Sequence, residues 1–189
     1  MSADARERIL DACERTIAEA GLRGFRMTAV AREAGVSIGL LSYHFGDRDG
    51  LLQAALDRVN EGTALRAAHD PHAVTPLAEL ETLLCSEFGD EPHVRAGSIV
   101  WNELRAAAVF APAQAAALRS STASWQDTVR TLSARAFPTR DSSRVALVLT
   151  SLVEGLSGRW LTGQIDVAEA RSAIHEAITT LAKGTQASR

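Results

Sequence analysis

The sequence predicts an all-α protein of about nine helices, and three observations predict it. Apolar residues recur at spacings of three and four along most of the 189-residue chain, the period of a helix with one buried face. Alternation with a period of two, the mark of a half-buried strand, is never sustained. Glycine and proline stand at intervals that suit the gaps between helices.

The elements follow in order. Residues 5–20 set Ile9, Leu10, Cys13, Ile17 and Ala20 on one face, and Gly21 and Gly24 end that helix, with Leu22 and Phe25 anchoring the turn. Thr28 is the expected N-cap of a short helix, TAVAREA, which Gly35 closes. Ser37 caps the next, which runs to Phe45, and Asp47 caps a longer one holding Leu51, Leu52, Leu56 and Val59 and ending near Ala68. HDPHAVTP, residues 69–76, is a polar break. Further helices are predicted at 76–88, 92–109, 112–136, 142–162 and 167–183, punctuated by Gly89 with Pro92, Pro112, Pro138 and Gly163. The tail from Lys183 is expected to fray.

Composition narrows the function. With 46% hydrophobic and 23% charged residues the chain has the makeup of a globular protein. No apolar run reaches the roughly 18 residues of a membrane helix, and MSADARERIL has no signal-peptide core, so a cytoplasmic location is expected. Cys13 and Cys85 lie within helical apolar patterns and read as small hydrophobes, not as a disulfide or a zinc site. The net charge of −3 advertises no nucleic-acid binder, and Lys183 is the only lysine. Contact with a polyanion would need a local constellation rather than a broad basic field.

Residues 28–48 supply one. Two helices that cross steeply through a tight turn need a small residue at their closest approach, a glycine in the turn and an apolar plug from the second helix. Ala31, Gly35 with Val36, and Leu41 fill those roles in that order. With Leu41 and Phe45 turned to the core, a 100° step puts Gly39 and Tyr43 on the opposite face, flanked by Leu40, Ser42 and His44. Gly39 removes a side chain where a backbone must approach a surface closely. Ser37, Ser42, Tyr43 and His44 offer hydroxyl and imidazole groups to phosphates or base edges, and Leu40 suits a thymine methyl. Thr28 and Arg48 are expected at phosphates, since a cation in the first turn of a helix opposes its dipole. Each of those two residues is as well explained alone as a cap or a solvated charge; the set is not.

Residues 6–52 resemble the DNA-binding domain of the TetR family of transcriptional repressors. The resemblance rests on Thr28, Val30-Ala31, Ala34-Gly35-Val36-Ser37, Gly39, Leu41, His44-Phe45, Arg48 and Leu51-Leu52. Two departures concern base reading: Ser42 stands where the family usually has tyrosine, with Tyr43 following, and Leu40 stands where many members have a polar residue. The form LLSYHF is similar to that of the choline-responsive BetI branch, as are Trp101-Asn102-Glu103-Leu104 and Glu154-Gly155-Leu156 farther on. The resemblance implies a helix-turn-helix DNA-binding domain over residues 1–47 and a ligand-binding and dimerisation domain over 48–189. It implies a homodimer on an inverted-repeat operator, and a small-molecule effector.

The C-terminal part shows no catalytic motif and calls for no cofactor or metal, so an enzyme is not expected. His69 and His72 read as a solvated loop pair, and His93 and His175 as surface or cap residues. VALVLTSLVEGLSGRWL, residues 145–161, and the stripe Val167, Ala170, Ile174, Ile178 and Leu181 suit either an internal hairpin or a four-helix interface between two copies; the dimer accounts better for the small residues. Glu103 and Glu154, with Phe88, Trp101, Phe110, Trp125 and Trp160, are the expected ligand-binding set. Aromatic rings beside carboxylates suit a cationic amine or a choline-like compound, with an apolar ligand as the alternative.

The chain is thus expected to be a ligand-responsive repressor whose effector tilts the helix beginning at Asp47. The alternative is an all-helical binding or interaction module with a vestigial helix-turn-helix. Its support is the charge of residues 1–60, where eight arginines face nine acidic residues.

Overall fold

A computed structural model describes residues 2–68 and 74–186, so the His69/His72 pair lies outside the described residues. These residues form nine helices: α1 (Ser2–Gly24), α2 (Met27–Glu33), α3 (Ile38–Phe45), α4 (Arg48–Ala68), α5 (Pro76–Cys85), α6 (Pro92–Ala108), α7 (Pro112–Ala136), α8 (Ser142–Leu161) and α9 (Val167–Gln186). Among the described residues there is no strand, and no helix is long and apolar enough to cross a membrane.

Most boundaries follow local signals. Ser37 accepts a hydrogen bond from the Leu40 amide and Asp47 one from the Gly50 amide, which satisfies otherwise orphan donors at the starts of α3 and α4. Pro76 and Thr75 open α5, and the Asp141 carboxylate caps α8. One expectation needs correction. Thr28 does not cap α2: the chain is extended at Arg26, whose carbonyl accepts from the Ala29 and Val30 amides, so the helix starts before Thr28. Gly21, with a φ of +64°, ends the regular first helix as expected, and a further helical turn runs to Gly24.

The chain packs as two compact units, residues 1–60 with 95–121, and residues 61–94 with 122–189. The first unit buries Ile9, Leu10, Ile17, Phe25, Leu41 and Leu56 in one cluster that also takes Val100, Trp101 and Leu104 of α6. Gly97 permits that approach, since a Cβ there would come within 3.0 Å of Val59. Polar groups also tie α7 to α4: Gln53, Asp57 and Asn60 all engage Ser121. The second unit buries Leu80, Leu84, Phe88, Phe137, Leu149 and Ile174, drawn from α5, the chain after it, the loop after α7, α8 and α9. Helices α4, α6 and α7 each contribute to both units.

Both cysteines behave as packing groups. Burial pushes the Cys13 thiol up to about 12 and the Cys85 thiol up to about 11, so neither is a thiolate at neutral pH.

Candidate nucleic-acid interface

The turn between α2 and α3 is fixed by backbone chemistry. Gly35 takes a φ of +65°, and the Val36 amide reaches back to the Ala31 carbonyl at 3.0 Å, closing α2 in the manner of a Schellman cap. Ala31 and Leu41 are both buried, so the small residue and the plug occupy the roles their spacing assigns. The far end of α3 is held just as closely. A Cβ on Gly50 would sit 2.2 Å from the Phe45 carbonyl oxygen, so only glycine lets α4 start this near to α3.

With Leu41 as its root, α3 turns Ile38, Gly39, Leu40, Ser42 and Tyr43 outward. The Tyr43 side chain is 81% exposed, and its ring meets His44 edge-on at 5.4 Å. His44 is half-buried between Tyr43 and Phe45. Among the described residues, a Cβ on Gly39 would meet nothing closer than Ser37 Oγ at 3.9 Å, so no packing among them demands glycine there. Thr28 is exposed on α2.

Arginines border this face, held mainly by rings and carbonyls. Arg48 lies 5.5 Å over the Phe25 ring, and its ion-pair partner, Asp49, is 3.8 Å away. Arg26, missed by the sequence reading, donates to the Phe25 and Arg23 carbonyls at 2.8 and 3.2 Å. Arg6 sits 5.6 Å over the Phe45 ring, with the exposed Glu7 carboxylate 3.5 Å away. Several of the acidic residues that made the N-terminal charge nearly neutral are engaged elsewhere: Asp4 with Arg8, Glu33 with Arg15, and Asp11 and Glu14, together with Glu7, with Arg58 of α4. Burial raises the Glu14 carboxyl above its ordinary range, and the Arg58 guanidinium opposes that rise. An outward phenol, two hydroxyl side chains and anchored guanidinium forks can donate to phosphates and base edges.

The seven expected ligand-binding residues are divided between the two units. Trp101, Glu103 and Phe110 fall in the first unit, and Phe88, Trp125, Glu154 and Trp160 in the second. Trp101 packs in the first core with the Arg105 guanidinium 5.7 Å over its ring, and Phe110 is 89% exposed. Glu103 Oε2 accepts the Leu22 amide at 2.6 Å, a contact across 81 residues. In the second unit Phe88 and Trp160 meet edge-to-face at 5.6 Å and share a core with Trp125. Glu154 is half-buried on α8, and the Phe88 carbonyl accepts from Arg171 of α9.

The second outward face belongs to α8. Its inner side buries Val145, Leu149, Val153 and Trp160, while Leu147 and Val148 stand 55% and 53% exposed. Gly155 is exposed, and a Cβ there would meet nothing within 4 Å.

Comparison with known proteins agrees with this geometry. The profile described as bacterial regulatory proteins of the tetR family matches residues 9–55, and that of the C-terminal domain of BetI-type transcriptional repressors matches residues 76–183. The HTH-type transcriptional regulator BetI of Burkholderia thailandensis is 30% identical over 162 residues, 85% of this chain and 82% of the relative. A crystal structure of a TetR-family transcriptional regulator from Rhodococcus sp. superposes with a TM-score of 0.89 at 39% identity, covering 95% of this chain and 98% of the other. A regulator from Saccharomonospora viridis, solved in complex with choline, shares the fold with a TM-score of 0.77 at 23% identity over 94% of this chain and 96% of its own.

Proposed function

Since the chain belongs to the TetR family, with a BetI-type C-terminal domain, and is therefore a ligand-responsive DNA-binding transcriptional regulator and not an enzyme, we propose that it works in the cytoplasm as a homodimeric repressor released by a choline-like cation. Each subunit sets α3 in a major groove, with Gly39 at the closest approach, Tyr43, Ser42 and His44 at base edges or phosphates, and Leu40 against a thymine methyl. Ser37, Thr28 and Arg48 hold the backbone on either side. Two subunits read half-sites of an inverted repeat roughly 34–36 Å apart, or a multiple of that.

The observation that carries this reading is the outward face of α3: an exposed phenol beside a glycine that no internal packing requires, bordered by arginines held on rings and carbonyls. Dimerisation through α8 and α9 is supported by the aliphatic face at Leu147 and Val148 and by the open space over Gly155. For the effector, the second unit offers the better subset, Phe88, Trp125 and Trp160 with Glu154, because Trp101 already faces a guanidinium and Glu103 already holds a backbone amide. The choline bound by the Saccharomonospora viridis regulator supports the same ligand class. Coupling of about 1–3 kcal/mol between the two sites suffices.

Footprinting on DNA flanking the protein's own gene tests the reading. An inverted repeat is expected to be protected, and millimolar choline to lift the protection. A single protected half-site would break the dimer, and protection indifferent to choline and related amines would overturn the ligand class.

A further inference from the structure

We propose that Glu103 is a positioning residue for operator binding, its carboxylate fixing the segment of chain that carries the phosphate-facing arginines. The inference rests on the reading of Arg48 as a phosphate contact.

The argument starts at the break in α1. Gly21, at φ +64° and ψ 172°, takes Leu22 out of the regular helical ladder, and the Leu22 amide donates instead to Glu103 Oε2 at 2.6 Å. A backbone donor on a charged acceptor is among the stronger hydrogen bonds a protein makes. The carboxylate also packs on the bare face of Gly21, where a Cβ would come within 3.0 Å of the same oxygen. Residues 22–25 then lead into α2, and they hold both arginines. The Arg26 guanidinium donates to the carbonyls of Arg23 and Phe25, and Arg48 lies over the Phe25 ring. Leu22 and Phe25 are themselves buried, so the segment can move only if its anchor moves. That anchor comes from α6, within the stretch matching BetI-type C-terminal domains, so a contact made by the effector-bearing part of the sequence sets where two cations of the DNA-binding part stand.

The test separates reach from charge. Glu103→Gln keeps an acceptor oxygen and loses the charge; Glu103→Asp keeps the charge and loses a methylene of reach. Both are titrated by fluorescence anisotropy against a labelled duplex carrying the footprinted repeat, across a salt series. Arg48→Ala and a double variant combining Glu103→Asp with Arg48→Ala are titrated beside them. Glu103→Asp is expected to bind about tenfold more weakly with a shallower salt dependence, the size of a lost hydrogen bond to a charged group. Glu103→Gln, which keeps an acceptor but loses the charge that strengthens the bond, is expected to fall between the Asp variant and the unaltered protein. The double variant should lose less than the product of the single losses, because both changes act on one contact. The reverse order, with the Gln variant weak and the Asp variant unaffected, would overturn the proposal and make the charge itself the requirement. A multiplicative double variant would also overturn it. Arg48→Ala with unchanged affinity and salt slope would instead bring down the phosphate reading on which the proposal stands.

Discussion

Helices α3 and α8 both expose apolar residues and a glycine with open space above it, yet the two faces suit different partners. The face of α3 is one short helix of eight residues, rooted by the buried Leu41, and it mixes Ile38 and Leu40 with the hydroxyls of Ser42 and Tyr43. Arginines border it. The face of α8 lies on a 20-residue helix whose inner side is buried from Val145 to Trp160, and its outer side centres on Leu147 and Val148. A groove edge presents acceptors, donors and phosphates, so a reading face needs polar atoms at the tips of its side chains. A second helix presents only more hydrocarbon, so a pairing face needs aliphatic area and room for close approach. Exposure alone identifies neither. What the exposed atoms can bond to does.

The largest expected effect breaks the comparison on the α8 side. Val148→Glu places a carboxylate in the proposed pairing face, where burying an unpaired charge would be strongly unfavourable. Sedimentation equilibrium is expected to show dimer affinity weakened by more than about 100-fold, with operator affinity falling alongside. A variant that stays dimeric would remove α8 from the interface.

Tyr43→Ala should act next most strongly, on the α3 side. Its ring is largely in solvent, so the melting temperature and dimer should be unchanged. Operator affinity should drop roughly 10- to 100-fold, about 1–3 kcal/mol, by the same anisotropy titration. Unaltered affinity would mean that the outward face of α3 is not the reading face.

The two faces also differ in how legible they were. The α3 face lies within one continuous stretch, and every feature that shapes it, the Gly35 turn, the Ser37 cap and the Leu41 plug, acts over a few residues. The helix starts after Asp47, Thr75 and Asp141 were readable for the same reason. The start of α2 was missed because Arg26 holds its extended conformation with no side-chain capping bond to mark it. Helix α5 stops at Cys85, short of the expected residue 88, because the following residues turn Phe88 into the core of the second unit, where Arg171 meets its carbonyl. The ligand set was less legible for a related reason. Residue type marked Trp101 and Glu103 as aromatic and acidic, but their partners, Arg105 and the Leu22 amide, follow from helix phase and from a contact 81 residues away. Arg26 could have been flagged only by asking which arginines lack an acidic neighbour at helical spacing.

The smallest expected effects sharpen the comparison most, because they add a single methyl group to each face. Gly39→Ala and Gly155→Ala both replace a helical glycine whose added Cβ meets no close neighbour in the chain. Each should therefore raise intrinsic helix stability, by up to about 1 kcal/mol. Any loss of function must then come from the partner that approaches the face. For Gly39→Ala, operator affinity should fall by a few-fold to about tenfold while the dimer is untouched. For Gly155→Ala, dimer affinity should fall by a similar factor, and operator binding only at protein concentrations near the new dissociation constant. Swapped outcomes would exchange the two partners between the faces. Gly50→Ala is the internal control: its Cβ would collide with the Phe45 carbonyl at 2.2 Å, so thermal unfolding should show lost stability whatever binds outside.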